Sequence, residues 1–90
     1  MIAVSNDQKV IAEIEKHILF VAKGLVNFPE SVKVHRELKN GVTRFIIETE
    51  IEDVGKIIGK RGGNIQSLRT VCRGIAAKNK LMIEIEVNEG

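Results

Sequence analysis

Cysteine is almost missing from this sequence: the single residue, Cys72, excludes an internal disulfide and leaves any thiolate metal cage short of ligands. Tryptophan and tyrosine are absent and phenylalanine occurs three times, which disfavours surfaces that work by aromatic stacking. No apolar run approaches the roughly 20 residues that a membrane-crossing helix needs. Met1 to Val4 lacks the basic start and long apolar stretch of a secretory signal. A cytoplasmic protein without a membrane partner is therefore expected, and a reducing compartment suits the lone thiol.

Catalytic groups are equally scarce. Cys72 falls on the apolar face of its predicted helix and reads as a small core residue. His17 and His35 lie far apart with no motif around either, and no nucleophile and base, carboxylate pair or metal-ligand spacing is legible. The expectation is a binding protein with no catalytic residue, no metal and no cofactor.

The most informative absence concerns charge of one sign. None of the 12 acids falls between Lys56 and Lys80, yet that stretch holds Lys56, Lys60, Arg61, Arg69, Arg73, Lys78 and Lys80. The other seven cations share the rest of the chain with every acid. Folded onto one surface, such a block is the electrostatic footprint of a polyanion site; spread out, it is a solvated basic helix.

Ninety residues, 43% hydrophobic and 29% charged, make one globular domain over 1–90 with no internal repeat or linker. Ser5-Asn6-Asp7-Gln8 has the capping-box pattern of a helix start. Ile11, Ile14, Ile18, Val21, Ala22 and Leu25 then draw one apolar stripe, giving a helix over 5–26 that ends ahead of Phe28-Pro29. Val32, Val34 and Leu38 alternate with polar residues as an edge strand, with Arg36 interrupting the apolar face. Asn40-Gly41 predicts a two-residue turn, and Phe45, Ile47, Thr49 and Ile51 continue the alternation, so 31–51 reads as a hairpin.

Glu52-Asp53 suits a helix start, and Val54, Ile57 and Ile58 form a very short helix. A second helix carries Ile65, Leu68, Cys72, Ile75 and Ala76 on one face and Arg69 and Arg73 on another, with Asn64 as its candidate cap and Asn79 as its candidate left-handed terminator. The region 52–80 is thus a helix-loop-helix. Leu81, Ile83, Ile85 and Val87 alternate through a last strand over 81–88. The order α-β-β-α-α-β and a right-handed crossover from Ile51 predict an α+β fold, a three-stranded mixed sheet covered on one face by three helices.

The turn between the two later helices needs residues without a Cβ, and Gly59 and Gly62 supply them. A phosphodiester can approach such a loop closely, meeting main-chain N–H groups, the positive end of the next helix and the charges of Lys60 and Arg61. Ile58 and Ile65 flank it as anchors beside a shallow apolar groove in which a base could lie.

Ile58-Gly59-x-x-Gly62-x-x-Ile65 resembles the I-G-x-x-G-x-x-I signature of K-homology (KH) domains, whose loop clamps four nucleotides. The element order is similar to the type II, bacterial KH fold, with the stretch from Ile51 to Val87 looking like the family core. Val54-Gly55-Lys56-Ile57-Ile58-Gly59-Lys60-Arg61-Gly62, followed by Ile65, Leu68, Arg69, Thr70 and Val71, is similar to the small stand-alone KH domains of the KhpA type. The extra glycine, Gly63, and the long N-terminal lead depart from that pattern. The resemblance implies single-stranded RNA as partner and an RNA-chaperone-like or post-transcriptional regulatory role. It also implies pairing with itself or with a KH protein of the KhpB (Jag) type. The implied RNA-binding set is Lys56, Ile57, Ile58, Gly59, Lys60 and Arg61, then Gly62, Gly63, Asn64 and Ile65, extended by Arg69 and Arg73.

Other readings of the glycines fail. A P-loop needs four residues between its glycines, and Gly55 to Gly59 has three, with Arg61 in place of Ser or Thr after Lys60. A dinucleotide fingerprint must follow a strand directly, and here a helix intervenes. The remaining alternative is a protein interaction module that keeps the fold without binding RNA.

Overall fold

Ser5 opens the first helix by accepting the Gln8 N–H at its Oγ (3.2 Å), which satisfies one of the free amides every helix start carries. In the computed structural model, which describes residues 5–90, that helix is α1 (Asn6–Leu25). It is followed by β1 (Lys33–Lys39), β2 (Val42–Glu48), α2 (Val54–Ile58), α3 (Gly63–Lys78) and β3 (Met82–Val87). Turns of 3-10 helix at Pro29–Ser31, Ile51–Asp53 and Lys60–Gly62 connect them. Residues 1–4 lie outside the described part.

The sheet has the order β1-β2-β3, antiparallel between β1 and β2 and parallel between β2 and β3. Asn40 and Gly41 both adopt positive φ (52° and 78°), the mirror-image turn whose twist suits a hairpin, and this sets Lys39 opposite Val42. Parallel pairing requires a crossover, which α2 and α3 provide. Phe45 and Ile47 of β2 and Ile83 and Ile85 of β3 pack into one core with Ile14, Ile18 and Ala22 of α1, Ile57 of α2, and Ile65, Leu68, Cys72 and Ala76 of α3. The α+β architecture expected above, a mixed three-stranded sheet and three helices, is the one observed.

Three local expectations need correction. The alternation seen through Thr49 and Ile51 stops at Glu48: the chain turns away, with the Asp53 N–H bonded to the Glu50 carbonyl, and leaves Ile51 exposed. Leu38 sits in β1 but is 77% exposed, while Val32, just ahead of the strand, is buried. Ile75 is also partly exposed, so the buried face of α3 is narrower than its apolar spacing. Arg36, the interruption in β1, is accommodated by an ion pair with Glu15 of α1 at 3.0 Å.

The helix ends differ too. Gly62 occupies the N-cap of α3, and Asn64 lies within the first turn. At the far end Asn79 keeps a negative φ, and Lys80 is the left-handed residue (φ 59°). Its N–H reaches the Ala77 carbonyl (3.0 Å) and the Leu81 N–H reaches Ala76 (2.8 Å), the paired bonds of a Schellman ending. That ending aims the chain straight into β3.

Candidate nucleic-acid interface

The helix α2 has five residues, too few to be stable alone, so its placement depends on what holds it. Ile57, 2% exposed, plugs it into the core and is unavailable to a ligand. Asp53, at the N-cap position, does not cap the helix. Its carboxylate accepts the Asn27 N–H at Oδ1 (3.1 Å) and the Phe28 N–H at Oδ2 (3.0 Å), with Lys56 Nζ 3.9 Å from Oδ1. At the other end Asn64 Nδ2 donates to the Lys56 carbonyl (2.9 Å), tying the last turn of α2 to the first turn of α3.

Between these helices the backbone bends through Gly59 (φ 79°, ψ 171°), Arg61 (φ 56°, ψ 27°) and Gly62 (φ 73°, ψ 15°). Arg61 is the notable one, a side-chain-bearing residue in the left-handed region, where glycine is the usual occupant. The two glycines are not equivalent. A Cβ on Gly59 would stand 2.6 Å from Asn64 Cγ, whereas a Cβ on Gly62 would meet nothing within 4 Å. Open approach for a ligand therefore lies on the Gly62 side, next to exposed Gly63 and an α3 start that no side chain caps.

Lys60 and Arg61 are exposed, and no acid among the described residues lies within 4.0 Å of either, nor of Arg73, Lys78 or Lys80. Several acids are paired on the sheet. Arg44 of β2 binds Glu37 (3.3 Å) and Glu86 (2.7 Å), and His35 binds Glu48 (2.6 Å) across the hairpin. Folding thus keeps the two loop cations clear of the acids, although Glu86 and Glu89 stand at the neighbouring hollow.

Beside the loop, Ile58, Ile65, Arg69, Glu86, Val87 and Glu89 line a hollow of about 370 Å³. Two aliphatic walls come from the helices and one from β3. Arg69 is not a free cation like Arg73: its Nε donates to the Ile85 carbonyl (3.0 Å), and it lies half-buried against the outer edge of β3. Cys72, on the core side of α3, is fully buried, and burial pushes its thiol pKa up, away from nucleophilic use.

The twelve residues picked out in the sequence thus divide by placement. Lys60, Arg61, Gly62 and Gly63 form the open loop, with Arg73 exposed farther along α3. Ile58, Ile65 and Arg69 line the hollow. Ile57, Gly59 and Asn64 are internal supports, and Lys56 leans toward Asp53. Sequence reasoning missed Asp53 as a tie, and missed Glu86, Val87 and Glu89 as walls. The alternation of β3 pointed Val87 inward, but nothing in the chain marked that end of the strand as lying beside the loop.

Comparison with known proteins bears on the family. The family described as KhpA/KhpB, KH domain, matches residues 15–87. The RNA-binding protein KhpA of Chlamydia pneumoniae is 32% identical over 77 residues, covering 83% of this chain and 96% of that protein. The protein of the same name from Caldanaerobacter subterraneus is 38% identical over 69 residues, 74% of this chain and 89% of its own. The one from Listeria monocytogenes is 32% identical over 75 residues, 83% and 99%.

Proposed function

The chain belongs to the KhpA/KhpB KH-domain family, a non-enzymatic one, and on that footing we propose that it binds single-stranded RNA at the loop Gly59–Gly62. The observation that carries the proposal is the pair of exposed cations Lys60 and Arg61, without an acidic partner among the described residues, on a bend whose Gly62 side is open, beside a hollow walled by Ile58, Ile65 and Val87 with Arg69, Glu86 and Glu89 at its rim. Phosphate meets the charges of Lys60 and Arg61 at the positive end of α3, and a base lies against Ile58, Ile65 and Val87. Arg73 extends the phosphate track along α3, while Arg69 shapes the hollow. The relatives, each named an RNA-binding protein, support the same reading.

A clamp for four nucleotides binds weakly and with little selectivity, so the reading includes avidity from a second site. The protein acts as a homodimer or with a KH partner of the KhpB (Jag) type, in an RNA-chaperone-like or post-transcriptional role in the cytoplasm. Exposed apolar side chains on α1 and α3, Phe20, Val71 and Ile75, favour association through the helical layer. Two or three phosphate contacts predict a log–log salt slope between about −1.4 and −2, at about 0.7 per phosphate. Anisotropy titrations of a labelled single-stranded RNA across a salt series test this. A flat salt response, or equal binding by a folded Lys60→Asp/Arg61→Asp variant, refutes it.

A further inference from the structure

The buried carboxylate of Asp53 has no place in the account of RNA contact, yet it is among the most costly groups in the domain. It is 0% exposed, and a charge taken from water must be offset by strong hydrogen bonds. Both oxygens are used on the main chain of a segment 25 and 26 residues earlier, the exit from α1. A third bond, Ser31 Oγ to Glu50 Oε1 at 2.9 Å, joins the same two connections. The α1–β1 and β2–α2 links are therefore stitched together where α2 begins.

We propose that Asp53 is a positioning residue for the RNA-binding loop, fixing the angle at which α2 delivers Gly59 to the bend. The proposal rests on the RNA-binding reading above. Its physical basis is leverage: α3 is a 16-residue helix with four buried residues, so the Gly62 end of the loop is anchored independently. The Gly59 end rides on five-residue α2, whose ties are Asp53 just ahead of it, Asn64 on the carbonyl of its central residue Lys56, and Ile57 in the core near its end. Releasing Asp53 lets the first turn swing about Ile57. Ile58 then moves relative to Ile65, so the hollow and the loop no longer meet one RNA strand together, although every cation is still present.

The experiment uses the full chain with Asp53→Asn, which keeps the shape but leaves one of the two amides facing an NH2 group. Ile18→Val serves as a control, since it thins the core and lowers the melting temperature while leaving both Asp53 hydrogen bonds in place. Affinity for a short single-stranded RNA of random sequence and amide hydrogen exchange over 54–64 are measured where all variants are folded. The expected result is about tenfold weaker RNA binding for Asp53→Asn, with an unchanged salt slope, faster exchange in α2 and the loop, and neither change in the control. Wild-type affinity or unaltered exchange in folded Asp53→Asn overturns the proposal, as does an equal loss in the control. Failure of the wild type to bind RNA instead overturns the reading beneath it, and exchange alone then decides whether Asp53 holds the loop. Should Asp53→Asn not fold, Asp53→Ser, which keeps one oxygen acceptor, replaces it in the same comparison.

Discussion

The side-chain amide of Asn64 fills the space that a Cβ on Gly59 would need, 2.6 Å at Cγ and 2.8 Å at Nδ2, while its Nδ2 holds the Lys56 carbonyl at 2.9 Å. One glycine of the bend is therefore required by the protein's own packing, and the other, Gly62, by its backbone angles and its open flank.

Alanine at the two positions should behave differently. Gly59→Ala meets both an angle that only glycine favours and a collision with Asn64, so it should cost about 2–3 kcal/mol of stability. Gly62→Ala, strained but unobstructed, should cost about 1–2 kcal/mol. Urea denaturation of both, with Gly59→Ala repeated in an Asn64→Gly background, should show partial recovery only when the amide is gone.

Arg61 holds a left-handed conformation at a cost of about 1–2 kcal/mol, and glycine removes that cost while adding freedom to the unfolded chain. Arg61→Gly should therefore raise stability by roughly 0.5 kcal/mol and weaken RNA binding at the same time. A melting curve and an RNA titration on one sample check the trade; a variant that is less stable would remove the case for strain.

The two arginines of α3 should separate cleanly. Arg69→Ala loses the Nε bond to the Ile85 carbonyl and should destabilise the fold by about 1–2 kcal/mol. Arg73→Ala should leave the melting temperature in place and reduce the steepness of the salt dependence by about 0.7.

Ile65 is buried and walls the hollow, so Ile65→Asn exchanges apolar contact for an unpaired amide. A loss of about 3 kcal/mol is expected. Circular dichroism melts that superimpose on the wild type would contradict it.

These experiments bear on how far the fold and the site could be read from residues alone. The stripe from Ile11 to Leu25, the Asn40-Gly41 turn and the alternation from Leu81 to Val87 are local patterns, and local patterns sufficed for element order and layers. Leu38 and Ile75 fit the same patterns yet stay exposed, because periodicity says which way a side chain points and not whether an opposite element reaches it. The left-handed residue proved to be Lys80, one place after Asn79, since the Schellman bonds to Ala76 and Ala77 determine the position and outweigh side-chain preference. The loop cations were legible as a gap in the acids. Asp53 was not, because its partners are amides of Asn27 and Phe28, and a main-chain partner leaves no trace in residue type.

Arg69 has one more consequence. As the third strand of the sheet, β3 is paired on one side only among the described residues, and an unpaired strand rim is a template onto which a foreign chain can zip. With its Nε on the Ile85 carbonyl, the guanidinium lies across that rim like a bolt, and an incoming strand would have to expel a charged group before gaining its first bond. The same side chain that shapes the hollow thereby occupies one carbonyl of the sheet's open rim.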